Sequence, residues 1–190
     1  MIWTDGKYDL EIGRLFDLKK CDIPSLKSQI NPNSIDLTID RYIKRPVSLS
    51  APVDFELRNP EEYKQYTDFY WKSETVEENI ILKPGDCVLA CTREYVTMPT
   101  DCCGQLFTKS SLGRMFINHM MAGVVDAGFN GKLTLELKND GVHIVKIPVA
   151  ARVVQLIVYT LDEMPKCPYG ERINRYHNAA TVESAKQVRE

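Results

Sequence analysis

The sequence has no surplus of basic charge, no long apolar run and no closely paired cysteines of the kind that hold zinc. Its 24 Lys and Arg residues are set against 26 Asp and Glu, for a net charge of −2 over 190 residues. The pI is ≈ 6.0. Proteins that bind nucleic acid through its phosphates carry a basic excess, so no nucleic-acid partner is expected. No apolar stretch approaches the roughly 18 residues that span a bilayer. The opening MIWTDGKYDLEIGR carries charge too early to contain the apolar core of a secretory leader. No membrane partner is expected, and a cytoplasmic location is. Six cysteines are present, Cys21, Cys87, Cys91, Cys102, Cys103 and Cys167. With 44% hydrophobic residues the chain can fill a core without covalent staples, so reduced thiols are expected. Cys87 and Cys91, four apart in a strand-like run, are predicted to be small buried residues on one face.

What is there has mostly a period of two. Residues 5–14 predict a short helix capped by Asp5, with Tyr8 and Ile12 on one face. After that, Ile35, Leu37 and Ile39 alternate in SIDLTID, and Leu133, Leu135 and Leu137 alternate in KLTLELK. Pro84-Gly85 marks a turn before the apolar run Cys87 to Cys91. Residues 152–161, RVVQLIVYTL, predict a nearly buried strand. Residues 58–79 lack a clean period and predict an excursion from the sheet, partly helical. The tail after Pro165 also lacks alternation; it is either a disordered end or a flap that closes over a ligand. The expected architecture is mainly β, a barrel or jelly roll with a few short helices. It comprises a domain over residues 1–165 and a flap or tail over 166–190.

Three segments carry chemistry. In KLTLELK the alternation sends Thr134, Glu136 and Lys138 to the face opposite the leucines, towards solvent, a subunit interface or a pocket. A pocket carboxylate would have a raised pKa and could shuttle protons. In KSSLGR, Lys109 and Arg114 bracket Ser110 and Ser111, a set that suits phosphate oxygens or an ordinary capped turn starting at Ser111. In AGVVDAGFNG, Gly128 and Gly131 permit a tight hairpin with Asp126 at its mouth. Asp126 there would form an Asx turn or accept from a sugar hydroxyl, with Phe129 against the sugar face.

Taken in this order, TKSSLGR, HMMAGVVDAGFNG and TLELKN resemble the dCTP deaminase branch of the dUTPase-like superfamily. That family shows G-R-S-S-L-[AG]-R, then H-x-x-A-x-x-[IV]-D-x-G-[FW]-x-G, then T-L-E-[LF]-x-N. NPNSIDLTID, KPGDCVLACTREYVTMP and RVVQL resemble further family segments, so the likeness runs over roughly residues 5–180 and is weakest at 55–80. The resemblance implies a distorted jelly-roll or β-barrel of the dUTPase-like type. It implies metal-independent hydrolysis of dCTP to dUTP and ammonia, at sites shared between the subunits of a homotrimer. Glu136 would be the general base and acid, Ser110 would place the water or leaving group, and Arg114 would orient the reacting groups. Backbone atoms of Met121 and Ala122 would contact the water or base edge. Asp126 would take the 3′-hydroxyl, Phe129 would disfavour ribose, and Thr134 would join the nucleotide-binding set. Lys109, Ser111, Gln155, Tyr169 and Arg175 would hold the triphosphate, which brings Mg²⁺ with it; no protein side chain is expected to ligate a metal.

Zinc deaminases carry H-x-E and P-C-x-x-C. Neither occurs here, since His119, His143 and His177 are not followed two residues later by Glu. No zinc is expected, and catalysis would rest on a poised carboxylate with orientation and electrostatics. Two departures from the family pattern bear on phosphate recognition. Lys109 replaces an arginine, keeping the charge but losing the fork. The tail's Y-x-x-Q-x-G becomes Tyr176-His177-Asn178-Ala179-Ala180, and Arg175 stands for a lysine at shifted spacing. The alternatives are a dUTPase, a bifunctional enzyme that releases dUMP, and a non-catalytic nucleotide-binding or assembly protein. The absence of glycine after Gly170 counts against a pure dUTPase, whose tail is glycine-rich.

Overall fold

A computed structural model describes residues 1–21, 23, 25–48, 61, 69–119, 123–171 and 176–186. Helix α1 (Asp5–Leu15) forms as the sequence predicts, although its N-cap is Thr4 rather than Asp5, whose carboxylate instead accepts from the Gly6 amide. Tyr8, Ile12 and Leu15 turn inward, and Tyr8 ties the helix to the sheet. Its hydroxyl donates to the Leu156 carbonyl at 3.1 Å and accepts from the Val158 amide at 3.0 Å. Burial pushes that phenol up to about 12.

The described residues form a nine-stranded antiparallel sheet. Its strands are β1 (Ile30–Asn31), β2 (Ser34–Pro46), β3 (Trp71–Thr75), β5 (Cys87–Thr97), β6 (Cys102–Thr108), β7 (Ile117–His119), β8 (Val124–Val125), β9 (Asn130–Asn139) and β11 (Arg152–Thr160). A separate ribbon pairs β4 (Asn79–Leu82) with β10 (Val145–Pro148). The main order is β7-β9-β5-β2-β11-β6-β8, with β1 and β3 added to β2. The mainly β architecture expected from the period-two alternation is therefore present, as a curled sheet.

Strand β2 makes the curl possible. Its first half pairs with β11 and its second half with β5 and β3, so one strand serves both arms. Ser34 to Asp40 are buried without interruption. Register shifts between Ile39 and Ile43, and between Cys91 and Tyr95 on β5, mark the irregularities at which such a sheet bends. The core includes Ile35, Leu37, Ile39, Leu135, Leu137 and Leu156, all fully buried.

Three expectations change. Trp71–Thr75 is a strand paired with Tyr42–Pro46, where a partly helical excursion was predicted; residues 58–60 and 62–68 of that segment lie outside the described residues. The Gly128–Gly131 segment is not a hairpin. It carries the chain from β8, paired with β6, to β9, paired with β5, so the turn links two arms of the sheet. Its positive φ values, 81° and 151°, are those that glycine was expected to supply. Finally, Cys91 is buried, its thiol pushed up to about 12, but Cys87 is exposed near the start of the same strand. All six thiols are free.

Candidate active site

The alternation in β9 puts Leu133, Leu135 and Leu137 in the core and turns Glu136 to the other face. That face is the wall of a cavity of about 690 Å³. Asp126, Phe129, Thr134, Glu136 and Tyr169, five of the residues singled out from the sequence, line it together. Glu136 keeps 31% of its side-chain surface exposed, yet its Oε2 is buried and has no hydrogen-bond partner. Burial raises its pKa to about 7, because a charge held against apolar walls loses more hydration than the hydrogen bond from its own backbone restores. At neutral pH such a carboxyl is divided between acid and base, the condition a proton shuttle needs.

One neighbour was not foreseen. His119, at the end of β7, brings Nδ1 to 3.8 Å from Glu136 Oε2. That is too far for a hydrogen bond, and both ring nitrogens are buried without a partner. Burial lowers the imidazole's pKa while raising that of the carboxyl, so it opposes charge on both members of the pair. The signal lay in the first position of the HMMAGVVDAGFNG segment, but only strand pairing of β7 with β9 reveals the contact.

The far end of the cavity is aromatic. Phe129 and Tyr169 pack at 5.6 Å between centroids with a 54° tilt. Tyr169 is held by its amide, which donates to the Ala127 carbonyl at 2.8 Å. Residues 176–186 then lie as a strap along the first half of β9, which β7 leaves unpaired. The Lys132 amide donates to the Ala179 carbonyl at 2.8 Å, and the Glu183 amide donates to Thr134 Oγ1 at 3.1 Å. Val182 and Ser184 are buried, and Glu183 to Ala185 line the cavity. These strap positions were not among the expected site residues.

The second group of expected residues is elsewhere. Ser110 to Gly113 form a short helix, α2, starting one residue earlier than predicted; Ser110, Ser111 and Arg114 are exposed. Lys109 donates to Asp36, and Gln155 donates to Ser34 Oγ at 3.3 Å. None of these five lines the cavity of its own chain. Met121, Ala122 and Arg175 lie outside the described residues. Among the described residues, no three His, Cys, Asp or Glu side chains cluster as a metal site. None of the helices among them is long and apolar enough to cross a membrane.

The family model described as dCTP deaminase-like matches residues 8–161. The chain belongs to this family. A dCTP deaminase, dUMP-forming, from Thermobifida fusca is 35% identical over 146 residues, 76% of this chain and 71% of that protein. A dCTP deaminase from Halorubrum lacusprofundi is 34% identical over 166 residues, 85% of this chain and 79% of that one. Among solved structures, the 2′-deoxycytidine 5′-triphosphate deaminase from Agrobacterium tumefaciens superposes with a TM-score of 0.62 at 19% identity. The match covers 83% of this chain and 46% of that one, so this chain spans about half that protein's length. At that identity the likeness concerns the fold. It gives this dCTP deaminase-like chain the mainly β fold of that deaminase.

Proposed function

We propose that this chain is a dCTP deaminase that releases dUMP, ammonia and pyrophosphate from dCTP and two waters. One observation carries the chemistry: of the carboxyls that line the cavity, Glu136 has one oxygen buried and unpartnered and a pKa raised by burial to about 7. As base it takes a proton from water while the oxygen bonds to C4 of the cytosine. It then passes that proton to N3, takes the remaining hydroxyl proton and delivers it to the departing amine, so that C4=O forms, ammonia leaves and a uracil remains. Asp126 accepts from the 3′-hydroxyl, and Phe129 with Tyr169 forms the wall that excludes a ribose 2′-hydroxyl. A second water then cleaves the α–β phosphoanhydride with pyrophosphate as leaving group.

The product dUMP replaces the dUTP that the sequence resemblance implied, because the Thermobifida fusca relative is dUMP-forming by name. The Mg²⁺ would arrive on the triphosphate as part of the substrate. We assign the phosphates to Lys109, Ser111 and Gln155 of a neighbouring protomer, and Ser110 and Arg114 to the reacting end. That division supports a homotrimer with shared sites, since one chain alone keeps the two groups apart. Exposed Phe107, Met115 and Phe116 flank the KSSLGR segment and suit coverage by a second copy. Residues 166–190 would act as the flap over the nucleotide, the part of the chain from which the strap is drawn.

The test is incubation with dCTP and Mg²⁺, measuring ammonia, dUTP, dUMP and pyrophosphate together. Equal ammonia, dUMP and pyrophosphate are expected. Ammonia with accumulating dUTP would restore the simpler deaminase, and no ammonia at all would overturn the reading.

A further inference from the structure

A buried anion holds the cation that the family pattern changes. Asp36 lies in the fully buried part of β2, its side chain 1% exposed. Its Oδ1 accepts from Asn31 Nδ2 at 2.9 Å and its Oδ2 from Lys109 Nζ at 2.6 Å. Arg152 Nη1 stands 3.6 Å from the same Oδ2. The residue is clamped through its main chain as well. Gln29 Nε2 donates to the Asp36 carbonyl at 2.6 Å and to buried Glu94 at 2.8 Å. A carboxylate this deep stays ionised only when paired, and here two cations share one anion. Their heads reach the surface, with Lys109 23% and Arg152 44% exposed, and Gln155 lies opposite Asp36 in the strand register.

We propose that Asp36 is a positioning residue for a polyphosphate-binding face, fixing the Lys109 ammonium beside Arg152 so that both present donors to the phosphates of the substrate. The nucleotide's identity rests on the deaminase reading; the affinity for polyphosphate does not. An ammonium has three N–H donors, so with one on Asp36 two remain for phosphate oxygens. An arginine at position 109 would bring direction through its rigid fork, whereas a lysine is a point charge on a flexible stem. The buried carboxylate restores that direction by fixing the ammonium before the ligand arrives. It leaves the cluster with a surplus of one positive charge.

The test is a double-mutant cycle on the full chain with Asp36→Asn, Lys109→Gln and the pair. It uses calorimetric binding of Mg²⁺ tripolyphosphate and steady-state kinetics on dCTP. If Asp36 merely neutralised the cations, Asp36→Asn would tighten polyphosphate binding. Positioning predicts the reverse: loss of one charge-assisted contact should weaken tripolyphosphate binding and raise KM for dCTP by about ten-fold or more, with a much smaller effect on kcat. The double variant should bind no worse than Lys109→Gln alone. Should Asp36→Asn not fold, Asn31→Ala serves instead, since it frees the carboxylate without removing it; a KM several-fold higher is expected. Unchanged or tighter binding in either variant, or additive losses in the pair, overturns the proposal. So does a wild-type chain that ignores tripolyphosphate, whether or not it releases ammonia. A wild-type chain that binds tripolyphosphate but releases no ammonia from dCTP sinks the deaminase reading alone.

Discussion

Glu136 and His119 show how two side chains can be tuned by the same wall. Glu136 Oε2 and both ring nitrogens of His119 have no hydrogen-bond partner, and burial favours the uncharged form of each group. Glu136→Gln should lower ammonia release by about 10²-fold or more, the range that positioned acid–base help supplies. In the wild type the rate should rise with pH through about 7, as the carboxyl becomes the base. His119→Ala would let water reach Oε2 and move that limb to lower pH. The same shift governs stability. An unfolded chain releases this proton near 4.5 and the folded chain near 7, so folding takes up a proton between those values. Wild-type stability should therefore fall as pH rises across that window. Glu136→Gln should escape the loss, gaining on the order of 2 kcal/mol in denaturant unfolding at pH 8, with no advantage below pH 4. The orientation of Glu136 was legible from the leucine alternation alone. The contact with His119 was not, because it depends on which strand lies beside β9, and short polar β7 carries no periodic signal.

At the scale of elements, the strap was the least legible part. Its sequence has no alternation because it joins the sheet by one bridge, Gly131 to Ala179, and by side-chain hydrogen bonds. Gly131 is the hinge of that arrangement. A Cβ there would sit 2.9 Å from the Ala179 amide nitrogen, at a φ of 151°. Gly131→Ala should cost about 1–3 kcal/mol, from backbone strain and from loss of strap contacts. Limited proteolysis should then cut within residues 176–186 faster than in the wild type, while the barrel stays intact. The hairpin expected within AGVVDAGFNG, residues 122–131, failed for a related reason. Two glycines predict a reversal, but only the strand partners decide whether the chain returns to its own neighbour or crosses to another arm. The strand at Trp71–Thr75 was hidden because it is an exposed edge added to β2, where nothing enforces alternation.

At the scale of the molecule, the expected site residues fall into two sets, one on the cavity and one around α2 and Asp36. The proposed sharing of sites between protomers makes a sharp prediction. Glu136→Gln and Arg114→Ala chains should each be nearly inactive alone. Unfolded together and reassembled, they should recover a definite fraction of activity, since some mixed sites inherit both intact residues. Ammonia release after co-refolding measures this, and no recovery would mean that each chain builds its site by itself. The β architecture was legible from the period of two, and the family from three short segments. The separation of Lys109, Ser110, Ser111, Arg114 and Gln155 from the cavity of their own chain was not legible in any local pattern, and shared sites were expected only through the family resemblance.

Strand β2 has a further consequence. From Ser34 to Asp40 it is buried without interruption, bordered by β11 along Ile35–Thr38 and joined by β5 from Ile39 onward. Lower down, Lys44 reaches Ser184 in the strap at 2.7 Å. The two arms therefore cannot separate into independently melting units, because each uses the same strand as its inner border. Amide hydrogens of Ile35, Leu37 and Ile39 should exchange with deuterium only when the whole chain opens, and at one common rate.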